Sequence, residues 1–219
     1  MTTPSHSVDA QRMDKHYRYQ RFVYDVTRRY FLLGRRQLIA DLRPDPGESV
    51  LELGCGTGWN LVQVARRYPQ SEIFGTDISS SMLSTARSSI SRAGLAQRIH
   101  LAPADATTFS GVETFDKSYF DRIFISFALS MIGNWEDVVA KSVQQLAPGG
   151  SLHIVDFGPC GRFPAVARRG FFAFLQHYEV TPRTGLMALC QRLAAEYALD
   201  LQFEILHRSY VNYAVLTRG

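Results

Sequence analysis

Short apolar runs alternate with helical segments through the middle of the chain, and this alternation constrains the fold more than any other feature. Five runs have the composition of buried strands, at residues 49–53, 72–76, 99–102, 123–127 and 151–157. Segments with helical spacing separate them, at residues 59–67, 80–92 and 135–146. Strands that alternate with helices form a parallel sheet covered on both faces. The sequence therefore predicts an α/β, Rossmann-like fold.

The two ends of the chain depart from this alternation. The N-terminal stretch 12–33 has apolar residues at helical spacing, and a second helix is expected to end near Leu42. Near the C-terminus, helices are expected at 165–178 and 186–197, followed by strands 201–207 and 210–216. The short turn between these strands predicts an antiparallel hairpin at the sheet edge. We expect a helical lid over 1–44 and one Rossmann-like domain over 45–219.

The first strand runs directly into a glycine-rich loop. The loop has the sequence Gly54-Cys55-Gly56-Thr57-Gly58. Glycine permits tight turns and close approach to a ligand, and the following helix N-terminus offers unpaired N–H groups. A dinucleotide-binding fingerprint would place its third glycine where Trp59 stands, so the loop favours a different cofactor. A purely structural turn is the alternative for the glycines alone.

Carboxylates follow the next two strands. Asp77 lies 19 residues after Gly58 at the end of the second strand, where a carboxylate can accept both hydroxyls of a ribose. Asp105 and Ala106 follow the third strand, where an acceptor suits an adenine amino group. Taken singly, either carboxylate is as consistent with a capped turn. Together with the loop, they predict a nucleoside-containing cofactor.

With Glu52 before the glycines, the loop resembles the first motif of class I methyltransferases that use S-adenosylmethionine. The turn Leu146-Ala147-Pro148-Gly149-Gly150 is similar to a late turn of that class. The resemblance implies that Arg28 or Arg35 binds the methionine carboxylate, with a surface arginine as the alternative for each. The cofactor residues expected are Arg28, Arg35, Glu52, Gly54, Cys55, Gly56, Gly58, Asp77, Ile78, Met82, Asp105, Ala106 and Ser126. Ile78 and Met82 are expected to enclose the adenine.

Segments outside the glycine loop resemble small bacterial lipid methyltransferases, most closely the diacylglycerylhomoserine N-methyltransferases of betaine-lipid synthesis. They include 17–21, 126–132, 153–158 and 180–183. The resemblance implies stepwise N-methylation of a lipid amine, with a partner enzyme that makes the headgroup. Phosphatidylethanolamine N-methyltransferases and quinone or small-molecule methyltransferases share the same features and remain alternatives. The expected catalytic residues are Tyr17, Tyr24, Ser126 and Asp156, whereas His153 is expected in the core.

Basic charge is concentrated in two segments. Residues 1–43 contain nine Lys or Arg and four Asp, and residues 160–192 contain five Arg and one Glu. Solvated helix faces are one explanation, and a rim for anionic bilayers with Phe163 and Phe172 as anchors is the other. RNA would also suit a basic, tyrosine-rich patch, but no Asn-Pro-Pro-Tyr-type element follows the fourth strand. We therefore expect a lipid substrate at an anionic membrane and no nucleic acid.

The remaining features concern location and metals. No apolar run reaches the roughly 20 residues of a membrane span, and the N-terminus lacks the apolar core of a signal peptide. The three cysteines are odd in number and have no metal-ligand spacing, so neither a disulfide framework nor a metal site is expected. These features predict a cytoplasmic protein, peripheral on the inner face of the membrane.

Overall fold

The structure is a computed structural model that describes residues 32–219. Tyr17, Tyr24 and Arg28 lie outside the described residues, so their predicted roles stay predictions. The helices are α1 (Arg35–Asp41), α2 (Trp59–Arg67), α3 (Ser80–Arg92), α4 (Gly111–Phe115), α5 (Trp135–Gln144), α6 (Ala165–His177) and α7 (Leu186–Tyr197). The strands are β1 (Ser49–Leu53), β2 (Glu72–Asp77), β3 (Ile99–Pro103), β4 (Phe120–Ser126), β5 (Leu146–Phe157), β6 (Leu199–Leu206) and β7 (Val211–Arg218).

The strands form one seven-stranded sheet in the order β3-β2-β1-β4-β5-β7-β6. The pairs from β3 to β5 are all parallel, whereas β7 is antiparallel to both β5 and β6. The strand order reverses between β1 and β4, and ligands of open α/β sheets bind at such a switch point beyond the carboxyl ends of the strands. The predicted fold class, including the C-terminal antiparallel hairpin, is confirmed.

Each face of the sheet carries its own hydrophobic core. One core joins α1, α2, α3 and α6, with Leu38, Leu61, Leu83 and Leu175 among its buried residues. The other joins α5 and α7 to the opposite face through residues such as Val139. Leu51 and Leu53 of β1 belong to the second core while Val50 belongs to the first, as the period of two in a strand requires. Central strands buried on both faces explain the continuous apolar runs.

Two short elements were not predicted. Helix α4 has five residues and is capped by Ser110, whose Oγ accepts from the backbone N–H of Glu113 at 3.4 Å. A single 3₁₀ turn at Leu129–Met131 follows β4. Both are too short to show a period in the sequence. Within residues 32–219, no helix is long and apolar enough to cross a membrane.

Candidate functional site: a cofactor cradle beside an aromatic acceptor edge

The loop after β1 needs its glycines for their backbone geometry. Gly54, Gly56 and Gly58 have φ values of +72°, +53° and +76°, a region that L side chains rarely adopt. At Gly54 a side chain is also blocked sterically, because a Cβ there would lie 2.7 Å from the Cβ of Ala128. The backbone N–H of Cys55 donates to the carbonyl of Thr76 at 2.8 Å, which binds the loop to β2. The loop therefore packs closely against the carboxyl ends of β1 and β2.

Asp77 links the same loop to the end of β2. Its Oδ2 accepts from the backbone N–H of Gly56 at 2.8 Å, and its Oδ1 accepts from that of Ser79 at 2.9 Å. Both oxygens are acceptors, the property that the hydroxyls of a ribose require. Ser79 in turn caps α3 through its Oγ. Asp77 therefore both holds the glycine loop in place and lies at the position predicted for the ribose.

Glu52 lies beneath the loop. It is buried, and its Oε1 accepts from the Nδ2 of Asn60 on α2 at 2.6 Å. Because Asn60 is in the first turn of α2, this bond ties the strand before the loop to the helix after it. Helix α2 begins at Trp59, and the residue before it, Gly58, provides no side-chain cap. Its first N–H groups are then available to an anionic or polar ligand group.

The residues predicted to contact adenine lie on two loops. Asp105 receives both of its observed hydrogen bonds on Oδ1, from the backbone N–H and the Oγ1 of Thr107. Ile78 is half-buried, whereas Met82 is only 3% exposed and has little surface for an aromatic ring. Ala106 is buried beside Asp105. Asp105 and Ile78 thus suit the predicted contact better than Met82 does.

Arg35 lies against the start of α2. It is a buried arginine, and its guanidinium carbon lies 4.4 Å from the centre of the Trp59 ring. A cation held over an aromatic face next to the glycine loop is suited to a carboxylate, as predicted for the methionine part of the cofactor. Trp59, which stands where a dinucleotide site would have glycine, thereby holds the arginine in place.

The strand ends β4 and β5 form the other side of the site. Ser126 ends β4, and its Oγ is buried without a hydrogen-bond partner within residues 32–219. Phe127 has a φ of +55° and donates its backbone N–H to the carbonyl of Val155. Its ring packs edge-to-face on Phe157 at 4.8 Å between centroids. Strained backbone conformations of this kind are often found at functional sites.

Asp156 is next to this edge but entirely buried. Its two oxygens accept from the backbone N–H groups of Phe157 at 2.7 Å and Ser130 at 3.1 Å. Burial raises the pKa of Asp156 from 3.8 to about 6, although these hydrogen bonds and the positive charge of Arg183 oppose the rise. Because both oxygens hold backbone groups, the geometry favours an orienting role over direct contact with an acceptor.

Arg183 was not predicted as a site residue from the sequence. Its Nε donates to the carbonyl of Leu129 at 2.9 Å, and its Nη2 donates to that of Ile132 at 2.6 Å. The backbone N–H of Thr181 donates to the carbonyl of Ser130. The loop before α7 therefore holds the segment after β4 in place. The sequence could not predict these two hydrogen bonds, because 54 and 51 residues separate Arg183 from the two carbonyls.

His153 and the predicted anchors belong to the core. The Nε2 of His153 pairs with the Oγ of Ser151 at 2.9 Å, and its Nδ1 lies 3.3 Å from the hydroxyl of Tyr213. Burial lowers its pKa from 6.5 to about 3, so the prediction of a core histidine is confirmed. Phe163 and Phe172 are partly buried and pack against the core, where their rings contact those of Tyr210 and Phe171. Their predicted role as membrane anchors stays a prediction.

The comparisons with known proteins agree with this geometry. A model of the methyltransferase-domain family matches residues 50–150, which run from β1 to the turn in β5. A demethylmenaquinone methyltransferase of Deinococcus radiodurans is 30% identical over 172 residues, 75% of this chain and 66% of that protein. A ubiquinone/menaquinone biosynthesis C-methyltransferase of Stutzerimonas stutzeri is 32% identical over 112 residues, 51% of this chain and 42% of that protein.

Among solved structures, phosphoethanolamine N-methyltransferase 2 of Haemonchus contortus in complex with S-adenosylmethionine has a TM-score of 0.69 to this chain. It is 15% identical and covers 84% of this chain and 52% of that protein, so the likeness concerns the fold. The chain spans about half the length of the first curated relatives it matches.

Fold, loop and family model together define a class I methyltransferase domain that uses S-adenosylmethionine, so the predicted class and cofactor are confirmed. The finer expectation of a betaine-lipid N-methyltransferase finds no support in these matches, because the relatives named above are quinone methyltransferases. The donor set fits the cofactor, with a carboxylate at Asp77 for a diol, one at Asp105 for an amino group and a cation at Arg35 for a carboxylate. No cluster of metal-ligating side chains occurs in the part of the chain that the structure describes.

Proposed function

We propose that the chain transfers a methyl group from S-adenosylmethionine to a ring carbon of a lipophilic quinol. The observation that carries the proposal is the match to quinone methyltransferases at 30–32% identity. The apolar character of the ends of β4 and β5 is consistent with it. Phe127 and Phe157 are buried there and pack on each other, so they support the acceptor side from beneath as an apolar layer.

The main contribution of the protein to this reaction is to position the two reacting atoms. The cofactor supplies a methyl group on a positively charged sulfur, and a carbon–carbon bond forms as the carbon–sulfur bond breaks with its electron pair going to sulfur. The ring carbon then loses its hydrogen as a proton, which restores the aromatic ring. In-line displacement depends on holding the two reacting atoms together, and a fixed loop and strand edge provide this.

The quinol has to become more nucleophilic before it reacts. A phenol-like hydroxyl has an ordinary pKa of about 10, so loss of its proton is helped by a nearby acceptor. Among the described residues at this edge, Ser126 has a hydroxyl with no observed hydrogen bond and can hydrogen-bond the quinol oxygen, but a serine hydroxyl is not a base, so the proton passes to water. Both oxygens of Asp156 already bind backbone groups. We assign Ser126 to contact with the acceptor, and Asp156 to support of the loop behind it.

An amine on a lipid headgroup is the second candidate acceptor. A methylated ammonium is attracted to aromatic faces, such as those of the proposed tyrosines, through cation–π attraction of about 0.5–2 kcal/mol. The two candidates share the cofactor site and differ in the atom that receives the methyl group. Tyr17 and Tyr24 are the proposed contacts for either acceptor. The Tyr17→Ala variant should therefore keep its affinity for the cofactor and lose turnover.

Radiolabelled cofactor discriminates the classes of acceptor. The full chain is incubated with methyl-labelled S-adenosylmethionine and either a total bacterial lipid extract, reduced to keep quinones as quinols, or total RNA. We expect label in the organic phase that comigrates with quinones. Label in polar lipids supports the amine, and label in RNA or in neither fraction contradicts a lipophilic acceptor. The Asp77→Asn variant, which lacks the proposed ribose contact, gives the background.

A further inference from the structure

We propose that the outer face of α6 docks the enzyme on an anionic lipid bilayer. The inference rests on the proposed function, because a lipophilic acceptor resides in a membrane. It concerns how the enzyme reaches that acceptor and not which atom is methylated. The structural basis is one helix that joins the acceptor edge on its inner side and exposes apolar side chains and Arg169 on its outer side.

Only one of the thirteen residues of α6, Leu175, is buried. The helix is attached to the acceptor edge by Phe171, whose ring centroid lies 6.0 Å from that of Phe157 and 5.1 Å from that of Tyr210. Phe157 in turn contacts Phe127 after β4. Helix α6 therefore lies directly beside the place where the acceptor is proposed to bind.

The outer face of α6 carries exposed apolar side chains. Val166 is 84% exposed and Phe174 is 39% exposed, and the small exposed residues Gly170 and Ala173 lie between them in the sequence. Residues spaced three, four and seven apart share one side of a helix, which places Val166, Gly170 and Ala173 together. Apolar side chains left exposed beside an active site are a signature of an interaction surface.

The positive charge of the segment that contains α6 favours an anionic partner. Residues 157–178 contain three arginines and no Asp or Glu, and two of the arginines, Arg162 and Arg169, are exposed. A solvated helix ordinarily mixes charges of both signs, whereas a helix that lies in a bilayer surface combines an apolar face with basic residues. Anionic phospholipid headgroups match both properties, because they attract arginines and admit apolar side chains just below them.

Binding of the full chain to vesicles tests the proposal without any methyl acceptor. Large unilamellar vesicles of phosphatidylcholine alone, or with three tenths phosphatidylglycerol, are sedimented with the protein at low salt. We expect binding to the anionic vesicles that falls roughly tenfold or more between low and high salt. Equal recovery with both compositions, or retention on RNA but not on vesicles, overturns the proposal.

A matched pair of charge reversals locates the surface. The R162E/R169E variant changes two exposed arginines, one on α6 and one just before it, and R66E/R92E makes the same charge change on α2 and α3, where both arginines line a groove with Arg36. The first should lower vesicle affinity at least tenfold and the second should leave it within about twofold. V166S/F174S should weaken binding at high salt as well. Equal losses in R66E/R92E place the docking surface elsewhere and contradict the inference.

Affinity for S-adenosylmethionine, measured by calorimetry, confirms that each variant is folded. If wild type binds vesicles, R162E/R169E does not, and no quinol is methylated, the α6 surface is supported and the proposed acceptor is rejected. Methylation of a short-chain quinol by R162E/R169E at the wild-type rate, with loss only on vesicle-embedded quinol, supports both.

Discussion

The carboxylate of Asp77 holds the backbone nitrogen of Gly56 at 2.8 Å, so the residue assigned to the cofactor ribose also fixes the glycine loop. Its other oxygen binds the backbone N–H of Ser79, the cap of α3. One side chain thus joins the ends of β1, β2 and α3 around the proposed cofactor position. Changing it should affect both binding and local order.

The Asp77→Asn variant should bind S-adenosylmethionine much more weakly. Asparagine keeps one acceptor oxygen but presents an N–H₂ group where the second oxygen stood. The ribose hydroxyls and the backbone N–H groups then share one neutral acceptor oxygen in place of two charged ones. A loss of about 3 kcal/mol, roughly 100-fold in affinity, is expected from two charge-assisted hydrogen bonds. Calorimetry measures it, with the exposed Asp200→Asn as control. Wild-type affinity in Asp77→Asn would remove this residue from the cofactor site.

Gly54→Ala tests the steric part of the loop. Gly47 has a φ of +90° and open space where a Cβ would lie, whereas a Cβ on Gly54 would lie 2.7 Å from the Cβ of Ala128. Gly47→Ala should therefore cost only the conformational strain, about 1–2 kcal/mol of unfolding free energy. Gly54→Ala should cost about 1–3 kcal/mol more and reduce cofactor affinity. Equal losses in urea denaturation would show that the contact with Ala128 has no effect.

Arg183→Met should disturb the acceptor edge and spare the cofactor. Arg183 donates to the carbonyls of Leu129 and Ile132, and its charge opposes the raised pKa of Asp156. We expect cofactor affinity within about twofold of wild type and kcat/KM for the acceptor about tenfold lower, because the loop after β4 is less well placed. Arg183→Lys, which keeps the charge but not the two-pronged geometry, should recover the pKa of Asp156 without recovering turnover.

Asp156 and His153 give opposite dependences of stability on pH. Burial raises the pKa of Asp156 from 3.8 to about 6, so its contribution is full below pH 3.8 and is lost as pH rises to about 6, by about 3 kcal/mol. Burial lowers the pKa of His153 from 6.5 to about 3, so its contribution is full above pH 6.5 and is lost as pH falls. The two effects offset each other between about pH 4 and pH 6.

Single variants separate these two effects in urea unfolding between pH 4 and pH 7. Without the carboxyl, the free energy of unfolding of Asp156→Asn should rise more steeply with pH than that of wild type. Without the imidazole, His153→Gln should show a free energy that falls as pH rises over the same interval. Parallel curves for all three proteins would show that neither group has the shifted pKa.

Local patterns in the sequence were enough to predict most of the fold. The boundaries of β1, α2 and α7 agree with expectation, because their apolar periodicity and flanking glycines are local signals. Strand β4 begins at Phe120 rather than near 123, since the register of β4 against β5 shifts between Phe120 and Arg122. Such an irregularity depends on the neighbouring strand and leaves no mark in the sequence of β4.

The cofactor side of the site was predictable for the same reason, and the acceptor side was not. Asp77 and Asp105 follow strands at fixed places, and parallel strands bring their carboxyl ends to one edge. The bond from Asn60 to Glu52, the clamp from Arg183 and the exposed face of α6 depend on packing between distant segments. The resemblance to lipid N-methyltransferases predicted an amine acceptor. That resemblance depended on segments outside the glycine loop, which are less specific than the loop itself.

The most direct test of the central claim is mass spectrometry of a defined acceptor after incubation with deuteromethyl S-adenosylmethionine. The full chain is supplied with a reduced demethylmenaquinol in detergent and, in parallel, with diacylglycerylhomoserine. The account predicts a quinone that is heavier by one deuterated methyl group on a ring carbon, absent with Asp77→Asn. Label on the lipid nitrogen alone would contradict the proposed quinol acceptor, and no label on either compound would contradict the account of a lipophilic methyl acceptor.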